Sequence, residues 1–224
     1  MLPHELLGTA RVPGHGGLLQ LFRHDGAFSL RIDRHELMTS RAHGSEEVLA
    51  EVALARVTDR RAPRVLVGGL GMGFTLARVL ALSPPTAAVV VAELVPEVVV
   101  WHRQWLAALC GQPLDDARVQ LHQGDVQELI AAPGPGFDAI LLDVDNGPEG
   151  LTSAANERLY GAAGLQRLAR ALRPAGVLAV WSSAPHPQFH ARLRSAGFVT
   201  DEVRTKARRT RGPVRVVFVA QRRP

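Results

Sequence analysis

Arg64-Val65-Leu66-Val67-Gly68-Gly69-Leu70-Gly71-Met72-Gly73-Phe74-Thr75-Leu76-Ala77-Arg78-Val79-Leu80 joins an apolar strand to a helix through a turn rich in glycine. Val65 to Val67 suit a buried strand, and Leu76, Val79 and Leu80 share one face of a helix starting near Phe74. Glycines at such a turn let the backbone approach a bound nucleotide where a Cβ would clash, and the helix start offers unpaired N–H groups. Twenty positions beyond Gly73, Glu93 closes the next apolar run. An acid there can accept both hydroxyls of a ribose whose ligand lies over the glycine turn.

Downstream the pattern repeats. Apolar runs at Ala88–Glu93, Val119–His122, Ala139–Leu142 and Val177–Trp181 alternate with helical stretches at Thr75–Leu82, Pro96–Leu109, Val126–Ala131 and Gly164–Leu172. Continuous rather than alternating apolar runs fit parallel strands covered on both faces. Pro174-Ala175-Gly176 reads as a stop before the fifth strand. A short helix over His190–Ser195 and two strands, Phe198–Arg204 and Val214–Ala220, complete a seven-stranded sheet with one antiparallel member.

Upstream, Ser45 to Val57 reads as a helix capped by Ser45, with Glu46 and Glu47 in its first turn. Leu18–Arg23 and Phe28–Asp33 form two short strands joined through Asp25-Gly26. Residues 1–16 read as a loose lead-in and Glu36–His43 as irregular. The expected division is a 1–44 extension carrying the hairpin and a 45–224 catalytic domain.

The composition excludes several classes. Of the 224 residues 46% are hydrophobic, so the chain can bury a core, and no apolar run is long enough to span a membrane. The start lacks a cationic segment followed by an apolar block, so no secretory signal is expected and the cytoplasm is the expected location. A single cysteine, Cys110, excludes an intrachain disulfide, and the nine histidines show no metal-ligand spacing, so no metal is expected. The net charge of +5 favours acidic partners in general. The basic run Arg204–Arg211 suits an edge that blocks strand pairing better than a nucleic-acid surface, because few aromatics lie nearby to stack bases.

Further polar residues follow the strand ends, where open parallel sheets bind ligands. Gly124-Asp125 follows the third strand; its carboxylate suits an adenine amine or a helix cap. Asp143-Val144-Asp145-Asn146 follows the fourth. Asp143 is placed to orient an amine or take its proton, and Asp145 and Asn146 to position a substrate or cap a turn. Trp181 and Ser182 end the fifth strand, and His43, before the Ser45 helix, is the histidine expected to face the cleft.

In this ordered series the chain resembles the spermidine synthase-like branch of the class I S-adenosylmethionine-dependent transferases. The resemblance runs from about Leu18 to Ala184. Besides the hairpin, glycine turn and Glu93, it includes Asp115-Asp116-Ala117-Arg118-Val119, Gly124-Asp125, Phe137-Asp138, Asp143, Leu159-Tyr160 and Leu172-Arg173-Pro174-Ala175-Gly176-Val177. It implies a Rossmann-like α/β fold with helices on both sheet faces. It also implies S-adenosylmethionine, or its decarboxylated form, as cofactor. Gly69, Gly71 and Gly73 would shape the methionine side, Glu93 would hold the ribose, and Gly124 and Asp125 the adenine. Asp143 and Asp145 would be the acids serving the reaction. Related folds often dimerise through the N-terminal hairpin.

The departures bear on the substrate. Where aminopropyltransferases carry an acid in the glycine turn, this chain aligns Met72. Their tyrosine-histidine-glutamate patch corresponds to Arg41-Ala42-His43-Gly44-Ser45-Glu46-Glu47. The second acid of their fourth-strand loop aligns with Asn146-Gly147. Each anion lost at a cationic substrate site costs roughly 1–3 kcal/mol. The leading expectation is therefore methyl transfer from S-adenosylmethionine to a small-molecule acceptor. Aminopropyl transfer from the decarboxylated cofactor is the alternative, and a non-catalytic cofactor- or RNA-binding protein is the third reading.

Overall fold

A computed structural model of the protein describes residues 4–14, 16–59, 61–144 and 158–223. Two sheets organise it. The larger has seven strands: β5 (Arg64–Gly68), β6 (Ala88–Glu93), β7 (Val119–Gln123), β8 (Phe137–Leu142), β9 (Leu172–Ser182), β10 (Val199–Lys206) and β11 (Val214–Gln221). Their order across the sheet is β10-β11-β9-β8-β5-β6-β7, with only β11 running against the rest. Val65, Leu66 and Val67 are fully buried, as are Ala139 to Leu142, which is why these central strands are apolar at every position.

Helices cover both faces. On one side lie α1 (Gly44–Ala55), α2 (Phe74–Leu82) and α3 (Pro96–Trp101), over the core that Val65, Val67 and Leu141 help form. On the other, α4 (Val126–Ala131), α5 (Ala162–Ala171) and α6 (Pro187–Ser195) cover Leu66, Ile140 and Leu142. Alternate residues of each strand thus serve opposite cores.

The smaller sheet is an antiparallel meander of β1 (Glu5–Arg11), β2 (Leu18–His24), β3 (Ala27–Ile32) and β4 (His35–Thr39). The expected hairpin is its centre, and Asp25 and Gly26 turn it with φ of 47° and 70°, the left-handed pair of a tight hairpin. Two expectations fail here. Residues 5–11 of the lead-in form a strand, β1, and half of the segment read as irregular belongs to β4. Neither stretch alternates well, because each is an edge strand held by its neighbour's hydrogen bonds. Gly8 shows what β1 lies against: a Cβ there would come within 2.4 Å of the Trp101 indole.

Three further corrections concern local geometry. The Pro96–Leu109 helix is α-helical only to Trp101; a π-helical segment follows over His102–Leu106 and a 3-10 turn over Ala107–Leu109. Pro174-Ala175-Gly176 does not stop β9, because the strand bulges there with Ala175 at φ 59° and keeps pairing with β8 on either side. Ser45 does not cap α1: its hydroxyl donates to Glu46 Oε2 at 2.6 Å instead.

Candidate functional site

The glycine turn carries β5 into α2 at the ligand edge of the large sheet. Gly69 has φ +91°, its N–H donates to the Ala92 carbonyl at 2.8 Å, and a Cβ would sit 2.4 Å from the Asp143 carbonyl oxygen. β5 and β8 pair so closely here that only glycine fits. Glu93, 8% exposed, reaches across from β6. One carboxylate oxygen accepts from Leu70 N–H and the other from Val95 N–H, each at 2.9 Å. Burial raises its pKa, against the lowering effect of these backbone N–H groups. The Gly71 and Leu94 N–H groups act on the same carboxylate, so the glycine turn and the end of β6 are tied together through Glu93.

Glu93 and the turn border a cleft of about 220 Å³. Gly69, Gly71, Gly124, Asp125 and Asp143 line it, with apolar walls from Leu94, Val95 and Val126 on one side and Leu30, Ile32 and Met38 of the small sheet on the other. Its apolar faces, buried acid and close backbone approach at glycine are features that suit a nucleoside. Asp125 also caps α4, taking the Gln127 N–H at 2.9 Å and its amide at 3.2 Å. The helix-cap reading of that residue is the one its hydrogen bonds show, and the same residue lines the cleft.

The cleft holds two further acids, the buried Glu46 and the half-buried Asp143. Asp143 Oδ2 accepts from the Thr75 hydroxyl at 2.7 Å, and burial pushes its carboxyl up to about 6. Glu46, 5% exposed, lines the same cleft; burial and then the Asp143 charge push it up to about 7. Glu46 is the site residue that the sequence reading missed, since the segment around it was taken to lack the family's anions. A signal exists: Leu49, Ala50 and Ala53, three, four and seven positions on, are the fully buried face of α1. An acid in phase with a buried stripe faces inward; its neighbour Glu47 does not.

Other expected residues are placed differently. Gly73 stands at the start of α2 with φ +91° and packs on His102, where a Cβ would meet the ring at 2.5 Å; it does not line the cleft. Met72 is wholly buried in the core, so the residue aligned with the missing acid does not face the ligand. His43 is turned aside, stacked on Phe74 at 4.0 Å and 2.8 Å from Glu47 Oε1. Ser182 is buried and donates to the Ala184 carbonyl at 2.7 Å, whereas Trp181 does line the cleft. Asp145 and Asn146 lie outside the described residues. Cys110 is half-buried beside the glycine turn, its thiol pushed up to about 11 by burial, which suits packing better than attack.

The basic turn between β10 and β11 also has a local use. Arg209 pairs with Glu47 at 2.6 Å and with Glu51, and the Ala207 carbonyl accepts the Gly44 N–H at 2.8 Å. The turn thereby clamps the start of α1, where Glu46 enters the cleft. Exposed ion pairs contribute little singly. Arg209→Ala is thus expected to cost no more than about 1–2 kcal/mol of stability, yet to loosen the first turn of α1 that carries Glu46. Thermal melts beside hydrogen exchange of the α1 amides check both.

The seven-stranded order, the glycine turn and the acid at the end of β6 define a Rossmann-like nucleoside-binding α/β fold of the class I methyltransferase-like kind. Residues 42–196 match the spermine/spermidine synthase domain, and the chain belongs to that family. It is 31% identical over 147 residues to a polyamine aminopropyltransferase of Mycobacterium tuberculosis (strain ATCC 25618 / H37Rv), covering 62% of this chain and 27% of that protein. It is 31% identical over 134 residues to a spermine synthase of Arabidopsis thaliana, covering 59% and 35%. The chain thus spans about a quarter to a third of the length of these relatives. Among solved structures it is similar to spermidine synthase from Thermotoga maritima (TM-score 0.77, 18% identity, 97% of this chain and 73% of that one). It is also similar to a spermidine synthase in complex with the transition-state analogue AdoDATO (TM-score 0.76, 18% identity, 97% and 72%). These findings overturn methyl transfer as the leading reading. Its basis was the missing anions, but Glu46 brings a buried carboxylate to the cleft.

Proposed function

We propose that the protein transfers the aminopropyl group of decarboxylated S-adenosylmethionine to an amine acceptor held near Glu46, Asp143 and Trp181. The charge of the cleft carries this reading. Four carboxylates, Glu46, Glu93, Asp125 and Asp143, line it, and no lysine or arginine does so among the described residues. A donor with a free amine and no carboxylate suits such walls, as does a cationic acceptor. Membership of the family supports the same choice.

When bound, the donor supplies a sulfonium-linked carbon: the acceptor nitrogen bonds to it, the carbon–sulfur bond breaks, and the sulfur leaves neutral. Glu93 and Asp125 would fix the nucleoside. Glu46 and Asp143 would hold the acceptor ammonium in line, and Asp143 would take the proton that frees its lone pair. Thr75, donating to Asp143 Oδ2, keeps the other oxygen turned to the substrate.

Mass spectrometry with decarboxylated S-adenosylmethionine and a panel of amines tests the activity, and no aminopropylated product with any amine would reject it. Within it, Glu46→Gln keeps the shape and removes the charge. It is expected to raise the amine's KM by about 10- to 100-fold, the value of a charged hydrogen bond, with a smaller change in kcat. Unchanged kinetics would remove Glu46 from the acceptor site.

A further inference from the structure

Gln127, half-buried in the first turn of α4, lines the cleft beside Gly124, Asp125 and Val126. Its backbone N–H donates to Asp125 Oδ1 at 2.9 Å, and its carboxamide nitrogen donates to Asp125 Oδ2 at 3.2 Å. Both oxygens of Asp125 therefore accept hydrogen bonds from Gln127.

The second of these contacts fixes the carboxamide. A carboxylate only accepts, so the nitrogen of Gln127 must face it and the oxygen must face away. Gln127 Oε1 has no hydrogen-bond donor among the described residues, yet it is not among the buried polar atoms left without a partner. It thus keeps accessible surface, on a residue that lines the cleft. Leu94, Val95 and Val126 supply apolar walls of the same cleft, against which a flat ring can lie.

Purine bases differ in the sense of this edge. An amino purine brings an N–H donor, which a carboxamide oxygen takes, whereas an oxo purine brings an oxygen. A carboxamide free to flip would serve either base, because its two sides exchange donor for acceptor. Held by Asp125, that of Gln127 serves only the amino purine.

We propose, resting on the nucleoside placement in the aminopropyl-transfer reading, that Gln127 Oε1 accepts from the exocyclic amine of the donor's base. Asp125, to which the family resemblance gives the adenine, then acts on the base through Gln127. It is a positioning residue, and Gln127 makes the contact that selects adenine.

Calorimetry with the full chain tests this on two nucleoside thioethers: 5′-methylthioadenosine, which the transfer leaves behind, and its oxo analogue 5′-methylthioinosine. Wild type is expected to bind the amino form at least about tenfold more tightly. Gln127→Leu is expected to cut that preference by about tenfold, almost wholly by weakening the amino form. Asp125→Asn can still cap α4 through its amide oxygen, but its amide nitrogen turns the Gln127 carboxamide around. That variant is expected to bind the oxo form more tightly than wild type does, a gain that loss of a direct contact would not produce. Equal affinity for the two nucleosides in wild type would overturn the proposal and leave the nucleoside site standing. A Gln127→Leu variant that keeps the full preference while Asp125→Asn loses it would also overturn it, since Asp125 would then touch the base itself. Binding of neither nucleoside would remove the nucleoside placement, and the proposal with it.

Discussion

Asp143→Asn is expected to lower kcat/KM for aminopropyl transfer by at least about 100-fold without loss of the fold. The change removes the anion and the proton acceptor yet preserves the shape, and the Thr75 hydroxyl can still donate to the amide oxygen. Its stability signature runs opposite to that of an ordinary carboxylate. Burial raises the folded pKa of Asp143 to about 6, above its value of 3.8, so between those values the folded protein binds more protons than the unfolded chain. Wild-type stability therefore falls as pH rises through that window, and the asparagine variant escapes this fall. At pH 8 the variant should melt no lower than wild type while being nearly inactive. A variant that is unstable and inactive alike would make Asp143 a structural residue only.

The pH dependence of activity follows from the same pair. Glu46 and Asp143 share one cleft, and each ionises at a cost raised by burial, with the Asp143 charge raising Glu46 further. Activity toward a cationic amine should climb across about pH 6 to 7 as the pair ionises. In Glu46→Gln one of the two steps should disappear. A profile with no rise in that window, in wild type at saturating donor, would separate these acids from the reaction.

Gly69→Ala is expected to be strongly destabilising. Left-handed backbone costs a non-glycine residue roughly 1–2 kcal/mol, and overpacking against a fixed carbonyl adds about 1–3 kcal/mol. The added Cβ would sit 2.4 Å from the Asp143 carbonyl oxygen, between paired strands that have no room to part. A fall in melting temperature of roughly 5–15 °C is expected for a domain of this size, together with loss of donor binding as β8 and its acid shift. Gly14, with φ 72° and open space around it, is the control: alanine there bears backbone strain alone and should leave donor binding unchanged.

Much of this architecture is legible in the chain because two kinds of signal are local. Apolar runs report strands buried on both faces, and β6 and α4 fall where those runs and breaks put them. The glycine turn and Glu93 are linked by a short βαβ unit, so their spacing along the chain carries their meeting in space. Edge strands carry no such signal. β1 and β4 exist because β2 and β3 offer hydrogen bonds to whatever chain lies alongside, and of their side chains only that of Ala10 is buried.

The acceptor end shows the limit most clearly. The acids proposed to meet the acceptor come from α1 and the end of β8 and the tryptophan from β9, separated by up to 135 positions and joined only when the sheet assembles. Motif reading looked for an acid at Met72, which the core swallows, and looked past Glu46, which the phase of α1 turns inward. The sequence alone determines the fold class and the glycine turn with Glu93 beside it, because backbone geometry and strand burial restrict which residues can occur there. Tertiary structure alone decides what the acceptor meets, because long-range strand pairing and helix phase set which charges share the low-dielectric cleft.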